Sequence, residues 1–203
     1  MTRAEDVETA VKLGAEYVGV IFAGGPRNQT LHGAADILSG AHLVKRVGVF
    51  GKPDATELSR YVSSVPISVA QLHGDASPKA VMAARAIGVP EVWAVVPVVD
   101  GQPVGDLEEL FQCATAVVLD TGSRSGLGGT GRSFDWAGVA RSIEAFRGAA
   151  RLVVAGGLNP DNVAEAIRIL RPEIVDVSSG VESAPGVKDP ILMSRFVEAA
   201  RSA

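Results

Sequence analysis

Asp120 is the residue in this sequence whose position most clearly suggests chemistry, because its carboxylate directly follows the apolar run Ala116–Leu119. Such a run predicts a buried strand, and in parallel β/α proteins the carboxyl ends of strands are where catalytic side chains lie. Apolar neighbours remove water from the carboxylate, which raises its pKa and suits it to donate a proton near neutral pH. The position also allows a structural role as a helix N-cap or in an ion pair.

Two glycine- and serine-containing loops follow the last two apolar runs and predict a phosphate-binding site. The residues are Gly156, Gly157 and Asn159 in the first glycine loop and Ser178, Ser179 and Gly180 in the second. Glycine lets a ligand approach the backbone, whose N–H groups can point at an anion. Either loop alone could simply be a tight turn, but loops after barrel strands 7 and 8 form the recurrent phosphate site of the β/α-barrel fold.

Three other side chains occupy predicted loops or strand ends on the same side as Asp120. Arg27 follows the first visible strand, where its guanidinium could hold a carboxylate through two hydrogen bonds. Gln71 and His73 end another strand, where they could contact a substrate. The alternatives are a solvated arginine and a histidine that stabilises its own turn.

The most glycine-dense segment, residues 126–132, lies shortly after Asp120 and has no strand or helix pattern. We expect it to close over a ligand, with Gly129, Thr130 and Gly131 contacting the substrate. An ordinary surface loop would have a similar composition. The single cysteine, Cys113, precedes a strand and is therefore expected on the opposite face, in a structural role.

The elements that position these residues are seven short, almost continuously apolar runs, which predict parallel strands buried on both faces. They are Tyr17–Phe22, Val44–Phe50, Ile67–Leu72, Val92–Val98, Ala116–Leu119, Leu152–Ala155 and Ile174–Val177. Helical stretches alternate with them, and their predicted capping residues are Thr2, Asp54, Ser77, Asn159 and Asp189. Polar or glycine-rich loops follow nearly every run, which favours an α/β fold of the (β/α)8 TIM barrel type over an open doubly wound sheet. Residues 1–203 are expected to form one domain.

Composition excludes several classes of protein. The 203 residues are 47% hydrophobic with a net charge of −4, so the chain is not expected to be disordered or to bind nucleic acid. Its apolar runs are shorter than a membrane span of about 20 residues. One cysteine allows no internal disulfide, and the first residues lack the pattern of a signal peptide, which predicts a cytoplasmic location.

Several longer strings resemble phosphoribosylanthranilate isomerase, an enzyme family of tryptophan biosynthesis, along the whole chain. They are TRAED from Thr2, KRVGVF from Lys45, QLHGD from Gln71, GGTGRSFDW from Gly128, AGGLNPDNV from Ala155 and DVSSGVESAPGVKDP from Asp176. The resemblance implies an Amadori rearrangement of N-(5-phosphoribosyl)anthranilate to 1-(2-carboxyphenylamino)-1-deoxyribulose 5-phosphate. It implies no cofactor or metal, and a phosphosugar-anthranilate as the small-molecule partner.

The resemblance also implies roles for particular residues. Asp120 would be the acid that opens the furanose ring, and Arg27 would bind the anthranilate carboxylate, although the loop reads Gly25-Pro26-Arg27 where the family usually has Ser-Pro-Arg. The family's base is a cysteine that ends the first strand, and this chain begins at Met1 within that motif. We therefore expect the first strand to be missing, which leaves two unpaired sheet edges.

Three hypotheses follow from that departure. The first is an isomerase whose sequence continues upstream of Met1. The second is a catalytically inactive remnant that still binds a phosphosugar. The third is an isomerase of altered chemistry in which His73 or another group replaces the cysteine.

Overall fold

Helices and strands alternate along the chain in the computed structural model, which describes residues 1–121 and 134–203. The helices are α1 (Ala4–Lys12), α2 (Leu31–Ile37), α3 (Ala55–Ser64), α4 (Pro78–Ala86), α5 (Leu107–Cys113), α6 (Trp136–Ile143), α7 (Val163–Leu170) and α8 (Pro190–Arg201). Short 3-10 turns span Glu144–Phe146 and Ser179–Val181. The described helices include none long and apolar enough to cross a membrane.

The strands form one curved sheet and one small hairpin. They are β1 (Tyr17–Phe22), β2 (Lys45–Phe50), β3 (Val69–Leu72), β4 (Glu91–Val99), β5 (Gln102–Pro103), β6 (Ala116–Thr121), β7 (Arg151–Val154), β8 (Ile174–Val175), β9 (Glu182–Ala184) and β10 (Val187–Lys188). The sheet runs β1-β2-β3-β4-β6-β7-β8 in parallel, β5 folds back on β4, and β9 pairs with β10. All seven predicted strands are therefore confirmed within a few residues of their expected ends.

Side chains alternate between two cores because successive residues of a strand point to opposite faces. One set packs inside the curved sheet and consists of Val47, Val69, Trp93, Val95, Ala116, Val118, Val153 and Ala155. The other set, which includes Phe50, Leu72 and Leu119, packs outward against the helices. Burial on both faces explains why the strands read as continuous apolar runs.

Most predicted helix starts are confirmed. Asp54, Ser77 and Asp189 each accept a hydrogen bond from a backbone N–H in the first turn of their helix. Two interpretations were wrong. Thr2 donates to the Gly186 carbonyl instead of capping α1, and α7 begins at Val163 because Asn159 is used in the turn before it.

The sheet stops short of closing into a barrel. Among the described residues no ladder joins β1 to β8, as the sequence predicted, although the Gly19 and Ile21 carbonyls of β1 accept from the Met1 amino group and the Gln29 N–H. We call the gap between these two strands the open seam. A cavity of about 370 Å³ lies along it, bounded by both strands and by α1 and α8. The fold is thus a seven-stranded, partly open β/α barrel.

Candidate active site

Asp120 lies at the carboxyl end of β6 and points into the barrel. Ala116 and Val118 belong to the inner core, so alternation along the strand directs Asp120 to the same interior. Its Oδ2 atom is 3.8 Å from Nδ1 of His73. Burial raises the pKa of the Asp120 carboxyl, and the nearby carboxylate of Asp176 raises that pKa further. The environment expected for a proton donor is present.

The two glycine loops meet each other and Asp120. Gly156 has a φ of +77°, and a Cβ atom added to it would lie 2.5 Å from Asp120 Oδ1. A Cβ atom added to Gly180 would lie 1.9 Å from the carbonyl oxygen of Leu158. Only glycine permits these approaches. The two loops thus adjoin each other beside the Asp120 carboxyl group.

Other members of the predicted phosphate site are held by local hydrogen bonds. The Gly157 carbonyl accepts from Nδ2 of Asn162 at 2.9 Å, and the Asn159 Oδ1 atom accepts from the Asp161 backbone N–H at 2.9 Å. Ser178 and Ser179 have exposed side chains. These contacts fix the shape of the loops, and phosphate binding at these residues stays a prediction.

Arg27 makes an ion pair that the sequence analysis did not anticipate. Its Nε atom donates to Glu182 Oε1 at 2.9 Å, and its Nη2 atom donates to Oε2 at 2.6 Å. Lys188 Nζ donates to the same carboxylate at 3.1 Å and to the Ser178 carbonyl at 2.8 Å. Arg27 and Lys188 lower the pKa of Glu182 to about 2. This network ties Arg27 to the second glycine loop.

Gln71 and His73 take different positions around the barrel mouth. The Gln71 side chain is buried in the interior and lines the cavity, whereas His73 is exposed at the rim beside Asp120. The backbone N–H of His73 donates to the Phe50 carbonyl at 2.8 Å, which anchors the loop after β3 to β2.

Asp176 is a second carboxylate beside the cavity that the sequence analysis did not select. It directly follows β8 and lines the cavity along with Lys188. The signal was available, because an ionisable residue after Ile174-Val175 repeats the pattern that identified Asp120 after its own apolar run. Burial raises the pKa of the Asp176 carboxyl against the opposing effect of Lys188.

The remaining predictions concern four other residues. Gly129, Thr130 and Gly131 lie outside the described residues. Cys113 ends α5 just before β6 begins, at the end of the barrel opposite Asp120, and burial raises the pKa of its thiol. Within residues 1–121 and 134–203, no three or more His, Cys, Asp or Glu side chains cluster as a metal site requires.

A curved parallel sheet with an acidic side chain beside two adjoining glycine loops defines a class, the β/α-barrel enzymes. Residues 1–199 match the family model described as N-(5'phosphoribosyl)anthranilate (PRA) isomerase. The chain belongs to this family. It is accordingly an isomerase of tryptophan biosynthesis, which confirms the resemblance seen in the sequence.

Individual relatives agree with the family match. An N-(5'-phosphoribosyl)anthranilate isomerase of Legionella pneumophila (strain Lens) is 36% identical over 201 residues, covering 98% of this chain and 93% of the relative. The phosphoribosyl anthranilate isomerase of Thermus thermophilus superposes with a TM-score of 0.85 at 31% identity, covering 100% of this chain and 96% of that one.

A solved phosphoribosyl anthranilate isomerase in complex with reduced 1-(o-carboxyphenylamino)-1-deoxyribulose 5-phosphate gives a TM-score of 0.79 at 32% identity. This alignment covers 100% of the present chain and 96% of that one. None of these comparisons points to the inactive remnant considered above.

Proposed function

We propose that this chain converts N-(5-phosphoribosyl)anthranilate to 1-(2-carboxyphenylamino)-1-deoxyribulose 5-phosphate, with Asp120 as the general acid. The observation that carries the assignment is the contact between Asp120 and the first glycine loop, where no side chain fits at Gly156. A phosphate held by the two glycine loops would bring the attached ribose over this carboxyl group.

The first step is ring opening. The Asp120 carboxyl donates its proton to the furanose ring oxygen while the bond from that oxygen to C1′ breaks, which leaves a protonated Schiff base between C1′ and the anthranilate nitrogen. A carboxyl with a raised pKa suits this step, because it retains its proton closer to neutral pH than an ordinary aspartate does.

Arg27 is the proposed partner of the anthranilate carboxylate. Nε and Nη2 face Glu182, so Glu182 fixes the plane of the guanidinium, and Nη1 is the donor offered to the substrate. Gln71 and His73 are proposed to contact the sugar from the neighbouring strand.

The proposal includes the setting in which the enzyme works. A small-molecule phosphosugar-anthranilate is the expected partner, and no cofactor is needed for an isomerisation in which protons alone move. The cytoplasm is the proposed compartment, which is consistent with the single cysteine.

The role of Asp120 is tested with the variant Asp120→Asn, whose turnover is measured by chromatographic separation of substrate and product. We expect kcat to fall roughly 10²–10⁴-fold, while the reduced product analogue still binds. The matched control is Asp36→Asn, an exposed carboxylate on α2 whose ion pair is with His32, and it should be fully active. A near-normal kcat for Asp120→Asn would remove Asp120 from this role.

A further inference from the structure

Lys188 carries a buried ammonium group that contacts two different parts of the candidate site. It lies on β10, and its Nζ atom donates to the Ser178 carbonyl at 2.8 Å and to Glu182 Oε1 at 3.1 Å. Ser178 belongs to the second glycine loop, whereas Glu182 holds the guanidinium of Arg27. One buried side chain thus joins the predicted phosphate site to the predicted partner of the anthranilate carboxylate.

The backbone around Lys188 is fixed independently of these contacts. The Lys188 N–H group donates at 3.2 Å to Oδ2 of Asp6, a buried residue of α1. Asp6 also accepts from Arg3 Nη2 at 2.8 Å. The next N–H group along the chain, that of Asp189, donates to the Val181 carbonyl at 2.9 Å. Because the main chain is held at both residues, the ammonium group has a defined position from which it can orient its two acceptors.

The hydrogen bond to Ser178 fixes the direction of a backbone N–H group in the second glycine loop. The carbonyl of Ser178 shares a peptide bond with the N–H group of Ser179. A peptide bond is planar and trans, so these two groups point in opposite directions. The Ser179 N–H group therefore points away from the Lys188 ammonium group. Anion binding by a loop requires N–H groups of fixed direction such as this one.

The hydrogen bond to Glu182 affects the charge that Arg27 presents. Glu182 orients the guanidinium, but a carboxylate paired with Arg27 alone would also neutralise it. Here the carboxylate is shared with Lys188, so the three side chains together carry a net positive charge. Burial opposes ionisation of Glu182, but Arg27 and Lys188 lower its pKa to about 2, which keeps the carboxylate charged. A net positive charge at Arg27 favours an anionic ligand group.

We propose that Lys188 is a positioning residue that couples the two ends of the substrate site. It orients the Ser179 N–H group through the Ser178 carbonyl, and it acts on Arg27 through Glu182. This role rests on the proposed function, in which the phosphate and the anthranilate carboxylate bind at these two places. A ligand that carries both anionic groups therefore depends on Lys188 more strongly than a ligand that carries only the phosphate.

A purely structural role of Lys188 predicts a different result. A buried ion pair can serve only to hold the β9–β10 hairpin in place, and its loss would then change the free energy of unfolding. Any ligand of the site would be weakened by the same factor, whatever anionic groups it carries. The two roles are separated by comparing ligands that differ in one anionic group.

The test measures the binding of two probes to the whole chain by calorimetry. The reduced product analogue carries a phosphate and an aromatic carboxylate, and ribose 5-phosphate carries the phosphate alone. Lys188→Met keeps a long side chain and removes its charge. We expect it to raise the Kd of the analogue roughly 10–100-fold and the Kd of ribose 5-phosphate by a smaller factor. KM should rise with little change in kcat, because binding is lost equally in the ground state and the transition state.

The conservative variant Lys188→Arg gives a second measurement. It retains the positive charge and the hydrogen-bond donors, so it should recover part of the affinity for the analogue that Lys188→Met loses. Circular dichroism during urea unfolding checks that each variant folds cooperatively. If Lys188→Met does not, the two probes are compared on Lys188→Gln, which removes the charge and keeps an N–H donor.

The matched control is Lys12→Met. Lys12 also has a carboxylate partner, with its Nζ atom 3.8 Å from Glu8 Oε2, but its side chain is exposed on α1. An exposed pair of this kind contributes little. Lys12→Met should therefore leave KM and the Kd of both probes unchanged.

The outcomes separate this coupling from the proposed function. If the wild-type chain neither converts the substrate nor binds the reduced product analogue, the proposed function falls and the coupling falls with it. If the wild type does both and Lys188→Met weakens the two probes by the same factor, Lys188 does not act on Arg27 and the coupling alone is overturned. Unchanged Kd values for both probes overturn it as well.

Discussion

At the scale of single residues, the site is built from charged groups that have lost most of their water. The Glu182 side chain is 5% exposed and the Lys188 side chain 6% exposed, and both contact the network that includes Arg27. A buried carboxylate is tolerated there because two cations and their hydrogen bonds replace its hydration. Loss of one partner would leave an uncompensated charge inside the protein.

Glu182→Ala should therefore lower the free energy of unfolding by about 3–5 kcal/mol and raise KM, because Arg27 loses the partner that orients it. Urea unfolding and steady-state kinetics measure the two effects. The control is Asp161→Ala, whose ion pair with Arg195 is exposed and should contribute at most about 1 kcal/mol. Equal destabilisation by both substitutions would contradict the buried-network interpretation.

Glu182 also predicts a dependence of stability on pH. Its pKa is lowered from 4.5 to about 2 in the folded protein, so its favourable contribution is complete above about pH 4.5 and is lost as the pH falls toward 2. Thermal unfolding between these pH values should show this loss in the wild type. Glu182→Gln should be less stable at neutral pH, and a slope through this range as steep as that of the wild type would count against the assignment.

At the scale of elements, the site depends on how closely two loops approach. The second glycine loop reaches the first through Gly180, whose position leaves no space for a side chain next to Leu158. A parallel barrel brings these loops together because β7 and β8 are neighbours with the same direction. The geometry of the predicted phosphate site therefore depends on backbone contact between two connections.

Gly180→Ala should separate the loops, since the new methyl group would overlap the Leu158 carbonyl. We expect KM for the phosphorylated substrate to rise at least roughly tenfold, with a smaller change in kcat. Gly40→Ala is the matched control, because a Cβ atom there meets nothing within 4 Å. A normal KM for Gly180→Ala, measured beside this control, would show that the loops do not bind the phosphate.

At the scale of the whole molecule, the two ends of the barrel have different roles. Asp120, Asp176 and the glycine loops occupy the carboxyl ends of the strands. At the opposite end Glu91 forms ion pairs with Lys45 and Arg151. Charged groups at that end of a barrel are expected to stabilise the fold rather than to take part in the reaction. The open seam runs between these ends, and in the part of the chain that the structure describes no strand pairs across it.

A strand-length apolar segment joined ahead of Met1 should pair with β1 and β8 and fill the cavity along the open seam. Burial of two or more apolar side chains there should add about 2 kcal/mol or more to the free energy of unfolding, and the unpaired edges would gain hydrogen bonds. Urea unfolding measures the free energy of unfolding of this chain and of a control chain that carries a Gly/Ser segment of equal length at the same place. If both segments change stability equally, the seam does not accept a strand.

The sequence by itself determined the order of the elements, the aspartate at the end of β6, both glycine loops and the family. These properties depend on neighbouring residues, such as an apolar run before a carboxylate or Ser77 before a proline. Alternation and capping act over a few positions, so they can be recognised without knowledge of the fold.

Only the tertiary structure decided which distant residues act together. Arg27 and Glu182 are separated by 155 positions, and the partner of Arg27 follows from how the chain closes on itself. Asp120 and Asp176 come level only through the register of β6, β7 and β8. Register and barrel curvature depend on the packing of all strands at once, and for that physical reason no local pattern specified the position of Asp176 beside Asp120.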